Sequence, residues 1–387
     1  MVFKRYRSMI CDAFEDQIMT DTIVEIDTFL VPGSERPDAW CRRKSYVFVR
    51  VETSAGVVGW GEGHTLNFRE HALPRLIDGL AGQIIGTDAV SMRAVAHRAF
   101  HGFGEQRAGM DVYCAAAAIE LALWDAYGKS LGRPVYELLG GAVQTSLKVY
   151  ANIFSNHTRS DGELADKAVE HVEAGHSALK FYPFRAGETL QEGVDKVKAV
   201  RNAVGPDVQL AVDLWRHAAP DRARDLCTAL EDFNLTWIED PFASINAKSL
   251  RTLREQVRQP LMVGETLARR WEFREMFETQ AVSLINPDVC ATGLVELREI
   301  AAMAEPYFVT VSPHNYNSMA LGMSITSHAA AGVANLGLCE YFPEVAADLD
   351  DLCTGRLVPK DGELALPASA GLGVVFDDAA MARFKVS

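Results

Sequence analysis

The sequence predicts an α/β protein in which a (β/α)8-type barrel is joined to an α+β capping domain formed by the N-terminal part and the C-terminal tail. Three observations predict this fold. Strand-like segments precede helical ones in the first 140 residues, eight short apolar segments then alternate with helical stretches, and the tail has little helical pattern. Alternating strands and helices give parallel strands, and eight such units close a barrel. A doubly wound open sheet is the alternative, but it usually has fewer strands and a glycine-rich first turn, which is absent here.

The capping domain is predicted at residues 1–140. Its first part, residues 23–62, reads as strands because IVEIDTFLV and SYVFVRVET are rich in β-branched and aromatic residues. Helical spacing then follows in three segments, at residues 73–84, 90–100 and 115–131. The LGGA turn at residues 139–142 is the predicted boundary of this domain.

The barrel is predicted at residues 141–345. Its eight strand candidates are LKVYANIF, ALKFYPF, VQLAVDLW, LTWIEDPF, PLMVGETL, SLINPDVC, FVTVSPHNY and NLGLCEYF. Helical stretches such as GVDKVKAVRNAV and LVELREIAAMAEP lie between them. Residues 346–387 form a tail that we expect to return to the capping domain.

The composition excludes several classes of protein. Of 387 residues, 48% are hydrophobic and 23% charged, as in an ordinary globular protein. A net charge of −14 repels phosphate and anionic lipid, so neither nucleic acid nor a membrane surface is an expected partner. Seven cysteines without a C-x-x-C pair indicate neither a disulfide framework nor a zinc site. Without a signal-peptide pattern or an apolar run of roughly 18 residues, the sequence predicts a cytoplasmic protein.

Six polar residues recur at the ends of consecutive strand candidates. Their spacings are 26, 26, 23, 26 and 26 residues, about one strand–helix unit each, and they are Asp213, Glu239, Glu265, Asp288, His314 and Glu340. A barrel gathers the carboxyl ends of all its strands around one mouth, where the active sites of this fold lie. We therefore expect these side chains to converge.

The first three of these residues are carboxylates, and they predict a metal site. Asp213, Glu239 and Glu265 would repel one another in one pocket unless a cation neutralised them. Oxygen-only ligands favour Mg²⁺ over zinc or copper. Surface salt bridges with basic residues are the alternative.

Asp288 and His314 predict a general base. A carboxylate beside an imidazole fixes its tautomer and raises its basicity, so His314 could remove a proton from a carbon next to a carboxylate. A structural histidine is the alternative.

Lys180 and Tyr182 are two residues apart on a strand, so both point the same way and would lie across the mouth from His314. Their alternatives are a barrel-filling ion pair and core packing. Glu340 could donate to a substrate if protonated, or position a basic group. Four further residues are candidates for substrate contact: His64, Trp215, Arg216 and His217.

These residues resemble the enolase superfamily, specifically its mandelate racemase subgroup. The matching stretches are VDL at 212–214, WIEDP at 237–241, VGET at 263–266, NPD at 286–288 and SPH at 312–314, together with the helix and turn at 115–141. The resemblance covers nearly the whole chain, except mainly for the first twenty residues.

The resemblance implies that Asp213, Glu239 and Glu265 bind Mg²⁺ and that Asp288 with His314 is the base that removes the α-proton of a carboxylate substrate, giving an enediolate. It also implies that Glu340 contacts the substrate carboxylate. Cap loops near residues 24–41 and 61–68 would close over the mouth, and the protein would form a symmetric homo-oligomer.

One motif departs from the subgroup. Where the subgroup usually has Lys-x-Lys, this chain has Lys180-Phe181-Tyr182. A phenol with a pKa of about 10 is a poor base at neutral pH but an adequate acid, so racemisation is disfavoured. We expect an acid-sugar dehydratase that acts on an aldonate or aldarate, with Tyr182 or His314 as the acid. The alternatives are a racemase, epimerase or lactone cycloisomerase with Lys180 as second base, or a non-catalytic regulatory relative.

Overall fold

The computed structural model describes residues 21–33, 44–153, 160–184, 187–216, 218–244 and 246–386. No helix in these ranges is both long and apolar enough to cross a bilayer. The five cysteines that they include are free and buried.

The N-terminal part begins with an antiparallel sheet and continues with helices. The sheet has the order β1 (Ile23–Pro32), β2 (Ser45–Thr53) and β3 (Val58–Gly63). The helices are α1 (Ala72–Ile84), α2 (Met92–His97), which runs on into a π-helical turn at Arg98–Phe103, α3 (Met110–Leu131) and α4 (Val135–Leu138). The three helical segments that the sequence predicts are thus present.

Strand β3 lies unusually close to α3. A Cβ atom on Gly59 would be 2.0 Å from the carbonyl oxygen of Ala122, and one on Gly61 would be 2.1 Å from that of Ala118. Only glycine allows this approach. The contact fixes the end of β3, which leads directly to His64.

In the described residues, eight parallel strands form the barrel, as the sequence predicts. They are β4 (Ser146–Asn152), β5 (Ala178–Phe181), β6 (Gln209–Asp213), β7 (Ile238–Glu239), β8 (Leu261–Val263), β9 (Leu284–Ile285), β10 (Thr310–Val311) and β11 (Cys339–Tyr341). Each of β4 to β10 pairs with its neighbour in chain order, and β11 pairs with β4. The sheet closes where the Val311 N–H donates to the Asn335 carbonyl at 2.9 Å and the Gly337 N–H donates to the Val311 carbonyl at 2.8 Å.

Crossover helices surround the strands. They are α5 (Asp161–Glu173), α6 (Leu190–Val204), α7 (Pro220–Ala229), α8 (Ala247–Arg254), α9 (Arg270–Glu278), α10 (Val289–Thr292), α11 (Leu294–Ala304) and α12 (Leu321–Ala331). Side chains such as Leu210 and Val212 point outward and pack under these helices. The inward positions hold a separate cluster, which contains Tyr150, Ala178, Ala211, Trp237 and Met262.

The C-terminal tail contacts both parts of the molecule. It contains β12 (Cys353–Thr354), β13 (Glu363–Ala365), β14 (Val375–Phe376) and α13 (Asp378–Met381). Strand β13 pairs antiparallel with β4 of the barrel. The Phe376 ring packs 4.7 Å from Trp60 in β3, and the Val386 N–H donates to the Thr28 carbonyl in β1.

Candidate active site

Carboxylates gather at the carboxyl ends of the barrel strands. Ala211 and Trp237 fill the barrel interior, and the residues two positions further on are Asp213 and Glu239. Because strand side chains alternate, both carboxylates face the same mouth. The parallel register pairs Asp213 directly with Glu239.

Glu265 completes the cluster from a position two residues beyond β8. Its backbone N–H donates to Oδ1 of Asn286 at 3.1 Å, which holds this turn in place. Ligand oxygens of Asp213, Glu239 and Glu265 all lie within 4.8 Å of one another. The structure therefore brings together the three carboxylates that the sequence singles out.

The charges of this cluster are costly without a cation. Burial raises the pKa of Asp213 to about 7 and that of Glu239 to about 8. Oδ2 of Asp213 is buried with no hydrogen-bond partner in the described part of the chain. A hard divalent cation would satisfy that oxygen and relieve the repulsion, so the donor set fits such an ion.

Lys180 lies completely buried on the inner side of these carboxylates. Its Nζ is 2.8 Å from Oε1 of Glu239 and 2.7 Å from Oε1 of Glu340. Burial disfavours the ammonium form, but these carboxylates outweigh it and raise the pKa of Lys180 well above its usual value. The side chain is therefore protonated and ion-paired.

Tyr182 and Glu340 are linked through an amide. Nδ2 of Asn152 donates to Oε1 of Glu340 at 2.9 Å and to the Tyr182 hydroxyl at 3.3 Å. Burial raises the pKa of Tyr182 well above its usual value, so its phenol is protonated. Burial also disfavours ionised Glu340, but Lys180 and His314 outweigh it and bring its pKa down to about 2.

Asp288 and His314 form the predicted pair. They face each other in a parallel bridge, and Nδ1 of His314 lies 2.7 Å from Oδ2 of Asp288. The other ring nitrogen of His314, Nε2, is 3.3 Å from Oε2 of Glu265. Burial disfavours the imidazolium, but the carboxylates of Glu265 and Glu340 outweigh it and raise the pKa of His314 to about 10. A cation held by Glu265 would weaken that effect.

Asp288 is kept ionised by the donors around it. The Cys290 N–H donates to its Oδ1 at 2.8 Å, and Nδ2 of Asn317 lies 3.0 Å from both oxygens. Burial opposes the charge, but His64 and His314 outweigh it and lower the pKa of Asp288 below its usual range.

His64 reaches the same aspartate from the end of β3. Its Nδ1 lies 3.3 Å from Oδ2 of Asp288, and its backbone N–H donates to the Cys290 carbonyl at 3.1 Å. The sequence places His64 among the substrate contacts, and the structure places it beside the proposed base.

The remaining candidates lie on the turn after β6. Trp215 and Arg216 have positive φ angles of 44° and 62°, a strained turn of the kind found at functional sites. The turn brings the Arg216 guanidinium to Asp240 and to Oε1 of Glu265, at 2.6 Å. Trp215 is half exposed at the mouth. His217 and the cap loop at residues 34–41 lie outside the described residues.

Several asparagines of the site escaped the sequence analysis. Asn286 donates to Oε1 of Glu239 at 2.9 Å, Asn317 holds Asp288, and Asn152 holds Glu340. Asn286 lies two residues before Asp288, and Asn152 ends a strand, so their positions at strand ends could have identified them as residues of the site. Their amides carry no charge, and a charge-based search therefore passes over them.

Two family comparisons cover most of the chain. The C-terminal part, residues 163–380, matches a family described as Enolase C-terminal domain-like. The N-terminal part, residues 39–140, matches the mandelate racemase / muconate lactonizing enzyme N-terminal domain.

Whole-length relatives have similar sequences. The chain is 30% identical to a D-galactonate dehydratase family member of Streptomyces bingchenggensis, over 94% of this chain and 93% of the relative. It is 29% identical to the D-xylonate dehydratase of Haloferax volcanii, over 92% of this chain and 87% of that relative. It is also 29% identical to a D-mannonate dehydratase of Caulobacter sp., over 89% and 92%.

Solved structures share the fold. An enolase from the Sargasso Sea environmental sequences superimposes with a TM-score of 0.89 at 24% identity, covering 96% of this chain and 99% of the other. The 3,6-anhydro-D-galactonate cycloisomerase of Zobellia galactanivorans gives 0.84 at 24% identity, covering 95% and 100%. These two similarities concern the fold alone.

Proposed function

The chain belongs to the mandelate racemase and muconate lactonizing enzyme family of the enolase superfamily, and from that membership we propose that it is a Mg²⁺-dependent acid-sugar dehydratase. It would remove the α-proton of an aldonate or aldarate and eliminate the 3-hydroxyl as water. Relatives named as dehydratases of D-galactonate, D-xylonate and D-mannonate support this substrate class. The observation that carries the proposal is the His314–Asp288 pair, because Nε2 of His314 lies 3.3 Å from Glu265 in the three-carboxylate cluster.

Asp213, Glu239 and Glu265 would hold the cation. Their all-oxygen donor set is of the kind that Mg²⁺ prefers. When bound, the cation supplies the positive charge that stabilises an enediolate. Lys180 adds a fixed positive charge behind Glu239, and Arg216 adds another beside Glu265.

His314 would be the base. Its Nδ1 proton is committed to Asp288, so the lone pair of Nε2 is directed toward the cluster, where a substrate carboxylate and its α-carbon would lie. Asn317 and the Cys290 N–H hold Asp288 in the charged form that this arrangement needs.

Dehydration is supported over racemisation by the groups on the second barrel strand. A racemase needs a second base on the opposite face of the substrate. Lys180 is ion-paired and protonated, and Tyr182 is a protonated phenol. Neither is ready to accept a proton, so one base and a separate acid describe this site better.

The composition supports the rest of the proposal. An acidic chain suits a cytoplasmic enzyme with a small-molecule substrate rather than a nucleic-acid or membrane partner. The family resemblance implies a homo-oligomer.

Proton NMR in D₂O with Mg²⁺, over a panel of aldonates, aldarates and their lactones, tests the function. Loss of the α-proton together with a new methylene signal at C3 is expected for at least one acid sugar. Exchange of the α-proton without a methylene signal would instead indicate a racemase or cycloisomerase. Mg²⁺ binding by calorimetry with no reaction across the panel would indicate a regulatory relative.

A further inference from the structure

Two imidazoles share one carboxylate at the mouth of the barrel. Nδ1 of His314 lies 2.7 Å from Oδ2 of Asp288, and Nδ1 of His64 lies 3.3 Å from the same oxygen. The two rings meet edge to face with their centroids 5.9 Å apart. His314 comes from the barrel and His64 from β3, so Asp288 joins the two parts of the protein.

His64 is not needed to hold β3 against the barrel. Glu62, two residues earlier, accepts hydrogen bonds from the Ser318 N–H at 2.7 Å and from the Ser318 hydroxyl at 2.6 Å. The His64 backbone N–H adds a bond to Cys290. The imidazole is nevertheless more than nine-tenths buried, and its Nδ1 lies 3.3 Å from Oδ2 of Asp288.

We propose that His64 is the general acid that protonates the departing 3-hydroxyl group, an inference that rests on the proposed dehydratase function. Nδ1 of His314 is hydrogen-bonded to Asp288 and Nδ1 of His64 lies 3.3 Å from the same oxygen, which leaves the Nε2 atom of each ring to exchange protons with a substrate. As an acid, His64 must carry a proton on Nε2 when the substrate binds, while Nε2 of the base His314 must be unprotonated.

The proton count then balances without a further group. The C2–H bond breaks, its proton goes to Nε2 of His314, and its electron pair gives the enediolate. The C3–O bond breaks as Nε2 of His64 gives its proton to the hydroxyl, which releases water and leaves an enol. His314 returns its proton to C3, and the enol hydroxyl proton returns to His64, giving the 2-keto-3-deoxy acid. At the end of the cycle His64 is again protonated and His314 is again neutral.

Tyr182, which the sequence suggests as the acid alongside His314, is less well placed for this relay. It follows β5, three strands round the barrel from the β10 end that carries His314. Its hydroxyl accepts a hydrogen bond from Nδ2 of Asn152 at 3.3 Å.

The partition between α-proton exchange and loss of water tests the inference. In D₂O, His64→Asn should keep exchange near the wild-type rate, because His314 remains. Its dehydration rate should fall by about 10²–10⁴-fold, the usual contribution of a positioned acid. An acid sugar with fluorine in place of the 3-hydroxyl needs no proton to leave, so the variant should eliminate fluoride at close to the wild-type rate. The exposed His71→Asn is the matched control.

Three results would overturn the inference. Dehydration by His64→Asn at the wild-type rate would remove the acid role. If His64→Asn keeps the melting temperature and the Mg²⁺ affinity of the wild type but loses both α-proton exchange and fluoride elimination, His64 only orients Asp288. Exchange without dehydration in Tyr182→Phe but not in His64→Asn would assign the acid to Tyr182. A wild-type protein that exchanges the α-proton but never loses water would instead refute the dehydratase function as well.

Discussion

Glu120 gives a quantitative prediction about how the cap is attached to the barrel. It lies on α3, is 2% exposed, and its Oε1 accepts a hydrogen bond from the Val295 N–H in the first turn of α11 at 3.2 Å. Burial raises the pKa of this carboxyl from 4.5 to about 7. The folded protein therefore holds the Glu120 proton more tightly than the unfolded chain does.

The sign and the size of the effect follow from proton linkage. Because the folded-state pKa is the higher one, the contribution of Glu120 is most favourable below pH 4.5 and is lost as the pH rises through about 7. At pH 8 the buried charge costs about 3 kcal/mol, at about 1.4 kcal/mol per pKa unit. Glu120→Gln keeps the acceptor for Val295 and cannot ionise.

We therefore expect Glu120→Gln to match the wild type near pH 4 and to exceed it in unfolding free energy by up to about 3 kcal/mol at pH 8. Urea unfolding followed by circular dichroism at both pH values measures the difference. Glu173→Gln, at an exposed position, serves as the control and should change neither value. The reasoning would be refuted if the unfolding free energy of Glu120→Gln equalled that of the wild type across this range, or if it were lower at both pH values.

Three further predictions concern the mouth of the barrel. Asp213→Asn should weaken Mg²⁺ binding in calorimetry by more than about tenfold, because even mutating residues that only hold the direct ligands lowers metal affinity by at least about that factor. Unchanged affinity would remove Asp213 from the metal site. His314→Asn should abolish α-proton exchange in D₂O while leaving Mg²⁺ affinity intact, and retained exchange would mean that another group is the base. Lys180→Met should lower the unfolding free energy of the metal-free protein by about 3–5 kcal/mol, because it leaves the buried Glu239 and Glu340 unpaired. Wild-type stability in that variant would mean that these carboxylates are neutral.

Strand periodicity made much of the barrel predictable. Asp213 and Glu239 follow inward-facing apolar residues at a spacing of two, and a slip of one residue would have turned them toward the helices. The regular spacing of strand ends could therefore locate Glu265, Asp288 and His314 as well. Charge and spacing are properties of single segments, and the sequence displays them directly.

Contacts between distant segments were harder to predict. The hydrogen bond between Glu62 and Ser318 joins residues 256 positions apart, and the local sequence around either residue does not predict it. The tail was expected to return to the capping domain, and it does contact β1 and β3, but β13 also pairs with β4 of the barrel. Short strands carry too little pattern to specify such a partner.

His64 shows why the acid was the hardest role to assign. The sequence treats it as one histidine near a turn, and the carboxylate at a strand spacing from it, Glu62, bonds to Ser318 instead. Its chemistry depends on Asp288, which lies 224 residues away and is reached only because Gly59 and Gly61 let β3 approach α3. The base can be predicted because Asp288 and His314 follow neighbouring strands in two consecutive strand–helix units. An acid supplied by the cap depends on how two separate parts dock, so it becomes visible only when both are placed together.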